Sequence, residues 1–154
     1  MEMAEPSRVE IALVRTTRAV KRAFNVRLAE IGLNMTQAGL LSFVDEHGSL
    51  TQRELADLLH ISRVSAGTFI DGLESRGLVK RTADPSDRRV WLITLTLAAA
   101  PLVQAFKGID RNLRSHLRAG FTRHDLHLLA DLLDRLEENA ELAALSSHPS
   151  RPRT

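Results

Sequence analysis

Ser75-Arg76-Gly77-Leu78-Val79-Lys80-Arg81-Thr82-Ala83-Asp84-Pro85-Ser86-Asp87-Arg88-Arg89-Val90-Trp91-Leu92-Ile93-Thr94-Leu95 is the stretch on which the fold turns. Leu78 to Arg81 and Val90 to Leu95 read as strands, rich in β-branched and apolar residues. Between them, Thr82 to Arg89 collects turn formers and charge, so the two strands form a hairpin with a charged tip. Trp91 alternates with Ile93 and Leu95, which predicts that it faces the interior. Five basic residues and only two acids lie between Ser75 and Val90, and Arg88 and Arg89 stand together at the tip.

The residues before the hairpin decide what it accompanies. Ser62 is a candidate N-cap for a helix running to about Arg76, with Val64, Phe69, Ile70 and Leu73 as its expected buried side and Gly77 as its stop. Upstream, Thr51-Gln52-Arg53-Glu54 has the form of a capping box and opens a short helix carrying Leu55, Leu58 and Leu59. Two helices joined by so few residues match a helix-turn-helix, and a basic hairpin directly after its second helix is a wing. Gln52 and Arg53, at the start of the first of the two, suit phosphate contacts through their side chains or the helix N-terminus.

Further out, the pattern is helical on both sides. Val9, Leu13, Val20, Phe24, Leu28 and Ile31 define one face of a first helix from about Pro6, ended by Gly32. A second runs from Thr36, taken as N-cap, to about Glu46, burying Leu40, Leu41, Phe43 and Val44 and stopping at His47-Gly48. After the hairpin, Thr96 is a candidate cap for a helix with Leu102, Phe106, Ile109, Leu113 and Leu117 on one face. Pro101 requires that helix to start late or to kink. A last helix opens at Thr122-Arg123-His124-Asp125 and repeats apolar residues at Leu126, Leu129, Leu133, Leu136, Ala140 and Ala143, a coiled-coil-like seam flanked by acids. The tail from Ser146 to Thr154 has two prolines and no apolar anchor, and is expected to be disordered.

The expected class is therefore mainly α with a small β wing. It has six helices and a two- to three-stranded sheet, with a winged helix-turn-helix lobe over residues 34–96, a helical dimerisation region over residues 1–33 and 97–145, and a tail over 146–154.

Composition narrows the functions open to such a chain. Its 154 residues, 44% hydrophobic and 26% charged, suffice for one ordinary core. The longest apolar run, Leu92 to Val103, is too short and too interrupted to span a membrane, and the acidic start MEMAEPSRVEIALVR does not resemble a secretory signal, so a cytoplasmic location is expected. The absence of cysteine removes disulfides, thiolate ligands and thiol-based sensing. The net charge of +2 conceals a polarity. From Phe121 to Leu145 six acids face two basic residues, the reverse of the wing, as expected of a protein that meets a polyanion through one lobe. Among the 21 basic residues only Lys21, Lys80 and Lys107 are lysine; the rest are arginine, the side chain suited to phosphate and guanine.

Asp84-Pro85-Ser86-Asp87-Arg88-Arg89, followed by Leu95-Thr96 and preceded by Leu73-Glu74-Ser75-Arg76-Gly77-Leu78-Val79, resembles the MarR family of bacterial winged-helix transcription regulators. The resemblance extends from about Val9 to Ala143. It implies a homodimer whose N- and C-terminal helices interlock, binding double-stranded DNA at a palindromic operator, usually as a repressor released by a small ligand. It implies that Ser62, Arg63, Ser65, Ala66 and Thr68 face the major groove and that Arg88 and Arg89 contact the minor groove and phosphate. Asp84 and Asp87, which cannot face phosphate, would hold those arginines and tighten the turn. The family often carries Arg at the position of Thr68 and near Gly72, and this chain departs there. Its pocket implies Phe24 and Phe43 as lining and an aromatic effector; no cofactor is implied.

Two other classes compete. A winged-helix module that binds protein and not DNA would favour acidic recognition surfaces, against which Arg63, Arg88 and Arg89 count. A metal-dependent enzyme would rest only on His124, His127 and Asp131 at helical spacing, with His116 on the preceding helix.

Overall fold

The computed structural model describes residues 5–146. In chain order the elements are α1 (Glu5–Ala29), α2 (Met35–His47), β1 (Leu50–Thr51), α3 (Gln52–Leu59), α4 (Arg63–Ser75), β2 (Val79–Ala83), β3 (Trp91–Leu95), a single 3₁₀ turn (Leu97–Ala99), α5 (Ala100–Leu117) and α6 (Arg123–Ser146). The three strands form one antiparallel sheet in the order β1-β3-β2, with Leu50 opposite Ile93 and Arg81 opposite Ile93 on the other side. The class is thus mainly α with a three-stranded wing sheet, as expected.

The helix ends follow local chemistry. α1 stops where Gly32 takes a positive φ of 69°. α2 is capped by Asn34, not Thr36. The Asn34 carboxamide accepts from Gln37 N at 2.9 Å while Gln37 Oε1 accepts from Asn34 N at 3.1 Å, a complete capping box two residues earlier than expected. Thr51 caps α3 as predicted, and Ser62 caps α4 by accepting from Ser65 N at 3.0 Å. Pro101 is harmless because α5 begins only at Ala100, which puts the ring in the first helical turn, where no intrahelical N–H bond is lost. Thr96, expected as a side-chain cap, instead donates its hydroxyl to the carbonyls of Gly77 and Leu78, tying the start of this segment to the wing.

The chain divides into two compact units, one ending at Leu113 and the other starting at Arg114. In the first, one apolar core gathers Phe24 and Leu28 from α1, Leu40, Leu41 and Val44 from α2, Leu55, Ile70 and Leu73 from α3 and α4, Ile93 from β3, and Val103 from α5. α1 and the start of α5 thus share a core with the winged-helix lobe. Leu58 is exposed, and Leu55 and Ala56 are the buried residues of α3. Trp91 is a correction: it is 55% exposed. It lies on the same face of β3 as buried Ile93, but opposite the exposed Ala83 at the tip end of the hairpin.

The second unit holds the end of α5 and α6. Thr122 caps α6, accepting from Asp125 N at 3.1 Å while the Asp125 carboxylate accepts from Thr122 N at 2.8 Å. None of the residues of α6 is buried. The helix runs through Ser146, whose hydroxyl donates to the Leu142 carbonyl at 2.8 Å, so the expected disordered tail does not begin there. Its remainder, 147–154, lies outside the described residues. Among the described residues no helix is long and apolar enough to cross a membrane, and no cluster of three or more His, Asp or Glu side chains is placed to hold a metal ion.

Candidate nucleic-acid interface

The helix-turn-helix is built by caps and one left-handed residue. The carboxylate of Glu54 accepts from the Thr51 backbone N–H at 2.7 Å and its hydroxyl at 2.8 Å, which holds it below the usual carboxylate pKa. α3 ends at His60, which adopts φ 51° and ψ 45°. It is the one described non-glycine residue with positive φ, and it swings the chain into α4 within two residues. Gln52 ties the start of α3 to α4. Its Nε2 donates to the Arg63 carbonyl at 2.9 Å, and it passes so close to Gly67 that a Cβ there would sit 2.8 Å from the same nitrogen. The Gln52 amide nitrogen is thus engaged within the motif. Arg53 is exposed, with a loose 4.0 Å pair to Asp57.

On α4 the phase differs from that expected. Ala66, Ile70 and Leu73 are its buried residues, at spacings of four and three. Ala66 is fully buried, not groove-facing, because it occupies the core stripe of the helix. Val64, expected in the core, is 80% exposed. Two residues apart on a helix point in roughly opposite directions, so burying Ala66 forces Val64 out. Arg63 and Thr68 are exposed on the outer side. Ser62 and Ser65 share a hydroxyl–hydroxyl bond of 2.9 Å as part of the cap. Thr68 donates its hydroxyl to the Val64 carbonyl at 3.2 Å.

The wing tip is closed by Asp84 N to Val90 O and Val90 N to Asp87 O, each 2.9 Å. Asp87 accepts from Arg89 N at 3.0 Å, Nε at 3.1 Å and Nη2 at 3.2 Å. These bonds lower the Asp87 pKa, the side-chain bond most, and aim a guanidinium that is still 90% exposed. Asp84 serves the turn and not the arginines: its carboxylate accepts from the Ser86 hydroxyl at 2.6 Å and backbone N–H at 2.7 Å, which lowers its pKa. Arg88 is exposed and makes no ion pair among the described residues.

Two of the five basic residues between Ser75 and Val90 are spent inside the lobe. Arg76 Nη1 donates to the Gly32 carbonyl at 2.7 Å, closing the end of α1. Arg81, which sequence reasoning missed, joins the wing to α4. Its Nη2 meets Asp71 Oδ1 at 2.5 Å, its Nη1 meets Glu74 Oε2, and its backbone N–H donates to Glu74 Oε1 at 3.2 Å. Burial works against the Arg81 charge, but the two carboxylates outweigh it and raise its pKa. The signal was present in the sequence: Asp71 and Glu74 are three apart on a helix, and Arg81 is two residues from Val79 on the inward face of β2.

For the effector pocket, Phe24 is a buried core residue and Phe43 is half-buried against the same core. The described hollow, about 700 Å³, lies elsewhere, lined by Asp45, Lys80, Leu95, Thr96 and Leu97 among others.

Residues 31–90 match the model of the MarR family. Among solved structures the chain is similar to the transcriptional repressor CouR bound to a 23-mer DNA duplex, at 28% identity and a TM-score of 0.78, over 89% of this chain and 98% of that one. It is similar to CouR from Rhodococcus jostii RHA1 bound to p-coumaroyl-CoA at 27% identity and a TM-score of 0.79, over 88% and 95% of the two chains. A mutant MarR from E. coli complexed with operator DNA shares the fold, at 22% identity and a TM-score of 0.77, over 88% and 99%.

Proposed function

We propose that this chain, whose residues 31–90 match the MarR family model, is a transcriptional regulator that binds a palindromic operator as a homodimer and represses until a small aromatic ligand releases it. The observation that carries the reading is the pairing, on one lobe, of an outward Arg63 at the start of α4 with a wing tip whose Arg89 is aimed by Asp87 beside an unpaired Arg88. Arg63 suits guanine O6 and N7, and the wing arginines suit phosphate and a narrow minor groove. Arg53 adds a phosphate contact at the start of α3, while Gln52, Asp84 and Asp87 position the readers. CouR, the similar repressor, is described on a DNA duplex and with p-coumaroyl-CoA, which supports both the operator and an aromatic effector.

The dimer is supported by α6. Leu128, Leu129, Leu132 and Leu133 are all exposed on a helix with no buried residue, and an apolar stripe of that extent calls for a partner. Residues 1–33 and 97–145 then form the dimerisation region and 34–96 the DNA lobe. Release is geometric. Two half-sites lie about 34–36 Å apart, so a ligand that prefers a dimer with differently spaced α4 helices lowers operator affinity by its own preference between the two states. The protein acts by binding and not by catalysis.

Gel-shift titration of the purified protein against its gene's upstream DNA tests this. Specific binding is expected over random duplex, with the Arg88→Ala, Arg89→Ala double variant losing affinity and flattening the log K against log salt slope by about two per lobe. Binding to upstream DNA no tighter than to random DNA, together with an inert double variant, defeats the reading in favour of a protein-docking winged helix. A monomer in light scattering defeats the dimer.

A further inference from the structure

The hydroxyls on the first two turns of α4 are largely engaged within the helix. Ser62 and Ser65 are occupied by the cap and by each other. Ala66 is buried. Thr68 has turned its hydroxyl donor back onto the Val64 carbonyl. Beside the exposed Arg63 stands an apolar side chain: Val64, 80% exposed at the second helical position and one turn before Thr68. Nothing in the lobe uses this isopropyl group, since the core stripe runs through Ala66, Ile70 and Leu73.

Resting on the regulator reading above, we propose that Val64 is a specificity-determining residue that reads the C5-methyl group of a thymine in each operator half-site. The thymine methyl is the one apolar feature that the major groove displays, and cytosine at the same position lacks it. A valine in a helix holds one strongly preferred side-chain rotamer, so its methyl groups are already ordered before DNA arrives. Its exposed apolar area leaves water only when an apolar partner meets it. Arg63, beside it, supplies the polar contact that sets the register, and Val64 discriminates at the neighbouring base pair.

The test replaces single methyl groups. Duplexes selected by the full-length protein from a random-sequence pool are remade with deoxyuridine at one thymine at a time, and affinities are measured by fluorescence anisotropy. Removing the contacted methyl is expected to weaken wild-type binding about fourfold, the worth of one buried carbon. The Val64→Ala variant is expected to lose most of that thymine-to-uracil difference at the same base pair while binding random duplex as wild type does, with a thermal midpoint no lower than wild type because alanine is the better helix former at an exposed site. Specific binding in which no single thymine-to-uracil exchange matters, or in which the sensitive position is unchanged in Val64→Ala, overturns the assignment while leaving the regulator reading intact. Failure to select any sequence overturns both.

Discussion

Replacing Arg81 by Met should loosen the wing from α4 at a cost set by how exposed its partners are. The methionine keeps most of the aliphatic stem, so packing changes little and the charge is what is lost. The guanidinium is 26% exposed, Glu74 39% and Asp71 68%. A charge-assisted bond in a protected site contributes about 1.5–3 kcal/mol, and a solvent-exposed pair about 0.2–1. The Glu74 contact lies between these limits and is set at about 1 kcal/mol; the Asp71 contact belongs with the exposed pairs, at about 0.5 kcal/mol. Together they predict a loss of about 1.5 kcal/mol, or roughly 3–6 °C in Tm for a chain of this length.

Urea unfolding followed by circular dichroism measures the global loss. Trp91 is the single tryptophan and sits on β3, so its fluorescence follows the wing and should shift earlier than the helical signal in Arg81→Met. Double-mutant cycles with Glu74→Gln and Asp71→Asn should give coupling energies near the two values above, the Asp71 term fading in about 1 M salt, where the Debye length is about 3 Å. A loss below about 0.3 kcal/mol with no coupling to Glu74 would refute the claim that this cluster fixes the wing; such small values are those of ordinary surface pairs.

Two further outcomes follow from the helix-turn-helix. The Glu54 carboxylate has a folded-state pKa below its ordinary 4.5, because the Thr51 backbone N–H and hydroxyl bind the charged form. Its contribution is therefore complete above the ordinary value and disappears as pH falls through the depressed one. Wild type minus Glu54→Ala stability, from urea midpoints between about pH 2 and 7, should be some 0.5 kcal/mol at neutral pH, discounted for exposure, and close toward zero in acid; a difference that grows in acid contradicts the capping role. At His60, φ 51° disfavours a residue with a Cβ by about 1–2 kcal/mol, partly offset by the greater chain entropy of glycine. Thermal denaturation should show His60→Gly stabilised by up to about 1 kcal/mol and His60→Val destabilised; equal Tm values for the two would show that the turn is unstrained.

Much of the architecture was legible before any coordinates. The capping box at Thr51, the cap at Ser62 and the glycine stops at Gly32 and Gly48 are local events, each decided by a few adjacent residues competing for the same backbone groups. The wing was legible for a similar reason, since Asp84 and Asp87 bond within two residues of themselves. The phase of α4 was not. Its run of Val64, Ala66, Phe69, Ile70 and Leu73 supports more than one apolar stripe, and only packing against α3, β2 and α2 chose the stripe that buries Ala66 and expels Val64. Trp91 misled for a related reason: alternation identifies the face of a strand but not how far along that face burial extends.

The sequence by itself determined the order and type of the elements, the stops and most of the caps, the basic wing tip and the leucine seam of α6, because each of these depends on spacing of a few residues along the chain. The tertiary structure alone decided which of those charges and apolar groups remain available. It committed Arg76 to the end of α1, Arg81 to Asp71 and Glu74, and Gln52 to Arg63, while leaving Arg88, Arg89 and Val64 outward. Availability depends on partners 7 to 44 positions away in the chain, and no local pattern records which side chains those distant groups will satisfy first.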